Sequence, residues 1–476
     1  MAIQIDAEKK IFTLETDHTM YQMQADAYGV LRHLWYGAKT GCDMSYLQDY
    51  PDVGFSGNIY AAGNDRTYSL DTLPLEYAGA GVGDFRMPAV AAVHADGSSA
   101  LDLRYYSHTV KPGKYGIEGL PAVYAAEDEA ETLEVVLRDT ASAVEVTLLY
   151  AVLPALDLVT RCARIRNLGE TPVTLTKAAS LCLDISRGSW EWVHFHGRHA
   201  MERQMERRLL FHGIQEIGST RGTSSHHQNP TVLLCTPDCT ETAGACIGAA
   251  LVYSGSHQTR LECDQLGQVR MVMGIHPDLF RWELKAGETF STPEVMLSYS
   301  DTGLETLSHH FHQAIREHIC RGKYQLAERP VLINNWEATY FGFDTEKILH
   351  IAEEAARLGV DMLVLDDGWF GKRDDDCSGL GDWFVNETKL SGGLHDLVEK
   401  IKGMGMRFGI WFEPEMISED SDLYRKHPDW AIRIPDRAPM RSRYQLVLDM
   451  ANPEVQEYLF RVMSNVLHLS LIHISE

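Results

Sequence analysis

Near the C-terminal end of the chain, short apolar runs stop abruptly in acids and tryptophan. They read VLINNWEA over 331–338, VDMLVLDDGW over 360–369 and MRFGIWFEPEM over 406–416. Each begins as a buried strand and finishes on polar groups that an apolar core would not hold. Amphipathic stretches separate them. In 345–358, Ile348, Ile351, Ala352, Ala355 and Leu358 share one helix face, and Gly359 ends it. The stretch 394–404 repeats the theme before Gly405, and 453–469 supplies a third helix with Pro453 in its first turn. Strand–helix alternation with chemistry at the strand ends predicts a (β/α)8 barrel, whose sites sit at the C-terminal mouth of the sheet. The pattern holds about three such units, so an incomplete barrel is expected.

Before residue 300 the period is that of strands. Residues 132–139, 144–152, 159–167 and 173–183 largely alternate apolar and polar positions, with turns at Asn167-Leu-Gly-Glu and Lys285-Ala-Gly-Glu. Many such strands predict an antiparallel sandwich. Residues 303–322 read as a helix with Leu304, Leu307, Phe311, Ile315 and Ile319 on one side and Gly322 as its stop. The expected fold is therefore multidomain α and β: an N-terminal antiparallel β-sandwich (1–300), a helical linker (301–329) and the first part of a (β/α)8 TIM barrel (330–476).

Composition narrows the partners. Of 476 residues, 67 are acidic and 43 basic, a formal charge of −24, which opposes nucleic acid and anionic membranes. No run of about 18 apolar residues exists for a membrane span, and MAIQIDAEKKIFTLET lacks the apolar core of a signal peptide. A cytoplasmic location is expected. The nine cysteines are scattered without a CxxC pair; reduced, buried thiols fit better than zinc at Cys235, Cys239, Cys246 and Cys263. Histidines crowd the connector helix at His309, His310, His312 and His318, where solvated side chains are the plainer reading. His194 and His196, two apart in a strand, share a face, and no converging carboxylate or thiol is evident from sequence. Neither a metal nor another cofactor is expected.

At the strand ends, Asp366 and Asp367 point in different directions, which disfavours an acid/base pair across one bond. They can accept hydrogen bonds from sugar hydroxyls, or one can cap a turn with Gly368. Trp369 and Trp411 offer flat faces for the C–H side of a pyranose, or pack between barrel layers. Glu413 and Glu415 flank Pro414 on the same side of an extended chain and tempt a glycosidase reading.

These segments, together with SLDTLPLEY and GDFRMPAV (69–90), FHGRHAMERQ (195–204), LGDWFVN (380–386), LYRKHPDW (423–430) and QLVLDM (445–450), resemble the bacterial α-galactosidases of glycoside hydrolase family 36. The resemblance runs from near the N-terminus to about Leu467. It implies a sandwich, a (β/α)8 barrel and a small C-terminal β-domain. It also implies retaining hydrolysis of α-galactosides such as melibiose and raffinose through a galactosyl-enzyme. The family's nucleophile lies in a Lys-Trp-Asp-x-Asn motif that this sequence does not contain, so no catalytic carboxylate is assigned here and Glu413 and Glu415 do not replace it. The final LIHISE departs from the family and reads as a frame or assembly artefact; the chain as given is expected to be truncated and inactive. Substrate-binding roles carry over to Asp366 and Asp367 (galactose hydroxyls), Trp411 (stacking), Arg443 (sugar contact) and Trp336 (pocket lining). Asp52 matches a position supplied by a neighbouring subunit in tetrameric members, which implies a homo-oligomer. His199 stands where several members carry tryptophan at the entrance. An α-N-acetylgalactosaminidase, a galactosyltransferase or a non-catalytic galactoside-binding protein remain alternatives.

Overall fold

A computed structural model describes residues 2–470 other than Ser56 and Ser186. The tail 471–476, on which the artefact reading fell, lies outside the described residues. The chain forms two compact units, Met1–Arg321 and Gly322–Glu476.

The first unit is an antiparallel β-sandwich. Its largest sheet includes, in spatial order, the strands Met201–Leu209, Glu191–Arg198, Gln228–Cys235, Cys246–Val252, Glu294–Ser300, Leu158–Asn167, Val144–Leu153, Glu131–Asp139 and Arg104–Pro112. A second sheet is built around Val173–Ile185, and a four-stranded sheet runs from Ile3–Asp6 to Leu31–Ala38. Alternation places Leu133, Val135 and Leu137, then Val144, Val146 and Leu148, in one shared core with Leu175, Leu181 and Leu183. The helix Leu304–His318 packs on Glu294–Ser300 and Cys246–Val252. Gly248 makes this possible, since a Cβ there would overlap the Phe311 ring.

That helix ends four residues before the glycine stop that its periodicity predicts. Tyr124 N–H donates to the His318 carbonyl at 2.9 Å, and His318 Nδ1 meets Tyr124 O at 2.8 Å. The last turn is thus satisfied by an irregular segment distant in sequence, and Ile315 is left 43% exposed. His309 and His312 are solvated as expected, whereas His318 is buried and His310 bonds Ser298 Oγ at 2.8 Å. On the outer strands His194 and His196 do share a face. There the sequence reading needs correction: Glu206, on the paired strand, lies 3.5 and 3.9 Å from their Nε2 atoms and also pairs with Arg208. Among the described residues no group of three or more side chains could hold a metal ion.

In the second unit the strands Leu332–Asn334, Met362–Leu365 and Arg407–Ile410 pair in parallel in that order. The helix Thr345–Arg357 follows the first; Asp344 caps it by accepting the Lys347 N–H at 2.9 Å, and Gly359 closes it at φ 82°. The helix Gly393–Gly403 follows the second strand, and Pro453–Ser470 lies further on. Ile333, Leu363, Leu365 and Phe408 join Ile348, Ala352, Leu397 and Val398 in the core between sheet and helices. The opposite sheet face, with Leu332, Met362 and Val364, is partly open, Leu332 being 53% exposed. The fold is an antiparallel sandwich followed by the first strand–helix units of a barrel. No helix among the described residues is long and apolar enough to cross a membrane.

Candidate functional site at the barrel strand ends

Parallel register fixes which strand ends meet. Asn334 pairs with Val364, so the polar tail of the first strand stands beside the acids that follow Leu365. Asn334 uses both ends of its amide there: Nδ2 donates to Asp366 Oδ2 at 2.5 Å and Oδ1 accepts the Trp336 N–H at 2.7 Å. Asn335 Oδ1 accepts the Asp366 N–H at 2.7 Å, and Asp366 Oδ1 accepts the Asp367 N–H at 2.7 Å. Asp366 is therefore held by the tail of the first strand and by the N–H that follows it, and among the described residues no bond of it goes to Gly368.

Asp367 has a different job. It is 2% exposed, and both its oxygens are engaged by Arg373, Nε to Oδ1 at 3.0 Å and Nη2 to Oδ2 at 2.8 Å. Arg373 itself is fully buried and also donates to Ser378 O at 2.8 Å. This forked pair fixes the loop after the second strand.

Aromatic rings frame the cluster. Trp369, read as a sugar platform or as packing, is packing: it is fully buried and its Nε1 donates to Trp411 O at 2.9 Å. Trp411 is half-buried, with Phe370 near-parallel at 6.4 Å between centroids and Trp383 at 6.2 Å. Trp336 is half-buried against Tyr340 and Phe341. The Arg443 guanidinium lies 5.7 Å from the Trp336 ring centroid and is held by Asp376, with Nη2 at 2.6 Å and Nε at 2.8 Å. Arg443 and Tyr444 both have positive φ, 50° and 61°, an unfavourable backbone that presents Arg443 at this place.

Glu413 is half-buried, and its Oε2 has no hydrogen-bond partner among the described residues. Burial, then the neighbouring Glu415 charge, pushes its carboxyl above the usual range, while Arg443 opposes the shift.

The structure thus brings Trp336, Asp366 and Arg443 together, sets Asp367 behind them and Trp411 on the next strand end. Asp52 and His199 belong to the first unit. Asp52 is exposed in a loop, pairs with Arg66 at 3.0 Å and accepts the Gly54 N–H; His199 is exposed in the turn after Glu191–Arg198. Sequence reasoning assigned no role to Asn334, Asn335, Arg373 and Asp376. The Asn-Asn pair ending an apolar run was a usable signal, whereas the reach of Asp376 to Arg443 across 67 residues had none.

A sandwich joined in sequence to parallel strand–helix units, with carboxylates, an arginine and indole faces at the strand ends, defines a sandwich-plus-barrel architecture whose strand ends carry the polar and aromatic groups. The glycosyl hydrolase family 36 N-terminal domain matches residues 29–285, and the melibiase domain matches 289–474. The chain belongs to glycoside hydrolase family 36. It is 54% identical over 460 residues to the bifunctional alpha-galactosidase/sucrose kinase AgaSK of Mediterraneibacter gnavus, covering 97% of this chain and 49% of that protein. It is 44% identical over 470 residues to alpha-galactosidase AgaA of Geobacillus stearothermophilus, covering 98% and 64%. The chain therefore spans about half to two thirds of the length of these relatives. The galactosidase domain of AgaSK superimposes with a TM-score of 0.97 at 53% identity, over 99% of this chain and 66% of that one. A substituted AgaA in complex with raffinose superimposes at 0.94 and 44% identity, over 96% and 64%.

Proposed function

We propose that the protein carrying this chain is a retaining α-galactosidase that releases terminal non-reducing α-D-galactose from oligosaccharides of the raffinose and melibiose type. Residues 1–300 would be its sandwich, 301–329 the link and 330–476 the opening of its catalytic barrel. The observation that carries the reading is the strand-end cluster of Asp366, Trp336 and Arg443 in a chain more than half identical to a named α-galactosidase.

In this reading Asp366, held by Asn334 and Asn335, accepts hydrogen bonds from vicinal galactose hydroxyls. Arg443 donates to a ring hydroxyl, and the indoles of Trp411 and Trp336 cover the apolar C–H face. Asp367, buttressed by Arg373, holds the loop and takes part in hydroxyl recognition through its remaining lone pairs. Retaining hydrolysis needs two carboxyl groups about 5–5.5 Å apart, one as nucleophile and one as acid/base. Neither is assigned within these residues, so on its own the chain binds galactose without cleaving it. Exposed Asp52 suits donation to a neighbouring subunit, and His199 an entrance position, in a homotetramer. The free thiols favour a cytoplasmic setting, and the net acidity favours a neutral sugar over nucleic acid.

The 476-residue polypeptide should show no turnover of p-nitrophenyl α-galactoside above background, because loss of catalytic carboxylates costs several orders of magnitude. Ordinary glycosidase turnover would mean that the catalytic groups are among these residues. An enzyme containing this chain should prefer the α-galactoside to the α-N-acetylgalactosaminide and transfer to water over a second sugar; the reverse preference would favour the other members of the family.

A further inference from the structure

The loop 368–379, after the second strand of the second unit, is fastened on both sides of Asp376. Asp375 Oδ1 accepts the Cys377 N–H at 2.8 Å and the Ser378 hydroxyl at 3.0 Å, and the Gly379 N–H is donated to Asp420 O at 2.9 Å. Together with the bond from Arg373 to Ser378 O, these fix where the Asp376 carboxylate stands. What it meets there is Arg443, whose Nε and Nη2 both donate to one oxygen, Asp376 Oδ1, at 2.8 and 2.6 Å. The pair is kept although Arg443 and Tyr444 both have to take positive φ.

Other cations around this loop are spent on the protein. Arg373 is buried on Asp367, and Lys389 donates to the carbonyls of Gly368 and Arg373 and pairs with Asp374 at 2.7 Å. Arg443 instead keeps 46% of its side chain exposed, lies beside the Trp336 ring, and its charge acts on Glu413. Left to itself, an exposed guanidinium grips carboxylates and phosphates through two parallel N–H bonds, and the Nε–Nη2 edge is one place where it does so. Asp376 takes that edge. Among the described residues the Nη1 hydrogens have no partner, so they can donate to a hydroxyl while the charge behind them is already matched.

We propose that Asp376 is a specificity-determining residue of the strand-end site: it occupies the anion-gripping edge of Arg443, so that the arginine serves a neutral sugar and the site rejects uronates and sugar phosphates. The identity of the sugar rests on the galactoside reading above; the exclusion of anions rests on the Asp376–Arg443 geometry. Asp376 acts through Arg443, so it is a positioning residue with two separable contributions, a charge and a tether. Both Arg443 bonds land on one oxygen. Asp376→Asn therefore keeps an acceptor for them and removes the charge, whereas Asp376→Ala removes both.

The test uses the full chain, isotope-labelled at arginine for NMR. The Nε–Hε signal of Arg443, identified by its loss in Arg443→Lys, should stay in place when sulfate is added to the wild type and should shift with sulfate in Asp376→Asn. Calorimetric titration with D-galactose and D-galacturonate should show the wild type favouring galactose. The ratio of the two affinities should fall about tenfold or more in Asp376→Asn, since a unit negative charge beside the ligand is gone. Asp376→Ala should weaken galactose further than Asp376→Asn does, because the tether goes with the charge. A merely structural Asp376 would weaken both sugars alike and leave the ratio where it was. That result would overturn the proposal, as would a wild-type Arg443 signal that moves with sulfate as far as the variant's. The expected sulfate responses with no galactose bound by any of these chains would keep Asp376 as the residue that blocks anions at Arg443, and would sink the galactoside reading instead.

Discussion

Asp366 and Asp367 are adjacent in sequence, and the structure separates what their loss would do. Truncating Asp367 to alanine strands the Arg373 guanidinium, which is fully buried and has its Nε and Nη2 directed at that carboxylate. Breaking a buried pair by deleting one partner costs about 3–5 kcal/mol, because the remaining charge stays desolvated. For a body the size of the second unit, each kcal/mol moves the melting midpoint by about 2–4 °C, so Asp367→Ala should lower it by roughly 6–20 °C. Asp366→Ala removes only an acceptor for Asn334 Nδ2 and one backbone N–H at a partly open position, a loss of about 1–2 kcal/mol. Its melting shift should be a few degrees. The assay is thermal unfolding followed by hydrogen exchange in peptides spanning 362–385, which isolates this loop from the sandwich. The double variant Asp367→Leu/Arg373→Met removes both charges together and should recover most of the loss. The functional consequence also splits. In an active enzyme containing this chain, Asp366→Ala should cut kcat/KM roughly ten- to hundredfold with the fold intact, whereas the Asp367→Ala effect would be mixed with unfolding. Equal melting temperatures for the two alanine variants would refute the argument, since the buried pair would then contribute nothing to the loop.

Thiol labelling of the native protein should mark Cys42, Cys320 and Cys377, which are exposed, and spare Cys162 and Cys235, whose thiols burial pushes up to about 12; rapid alkylation of Cys235 before unfolding would contradict its placement. The His18–Asp157 pair gives a pH signature: its bond to Asp157 raises the His18 pKa, while hydrogen bonds from Thr16 and His18 outweigh burial and lower that of Asp157. The histidine's contribution is present below its unfolded pKa of about 6.5 and fades as pH rises through the raised folded value, and the aspartate's is present above about 3.9 and fades in acid. The melting difference between wild type and His18→Gln should thus peak between about pH 4 and 6.5 and shrink on either side, and a pH-independent difference would remove the pair from the account. Limited proteolysis should leave a resistant core ending between about residues 300 and 330, because Val331 and Leu332 are 62% and 53% exposed beside a partly open sheet face; protection of 330–470 equal to that of the sandwich would count against it.

The alternation of apolar and polar positions was enough, by itself, to locate four of the sandwich strands to within two residues, among them 144–152, which became Val144–Leu153, and 159–167, which became Leu158–Asn167. It also gave the strand–helix succession after residue 330 and the polar strand ends, because side-chain period and burial are local consequences of one face meeting a core. What it could not give was decided by contacts between residues far apart. The helix at 304–318 stops where Tyr124 takes its last carbonyl. Trp369 and Trp411 read alike as strand-end indoles, yet one is buried with its N–H on the other's carbonyl and the other is half open. Asp366 faces Asn334 while Asp367 is locked to Arg373, and Arg443 is fixed by Asp376 from a distant loop. A sequence states which groups are available at a strand end. Which of them is left free for a ligand depends on the partners that parallel register and loop closure bring to each atom, and those are set only when the chain has folded.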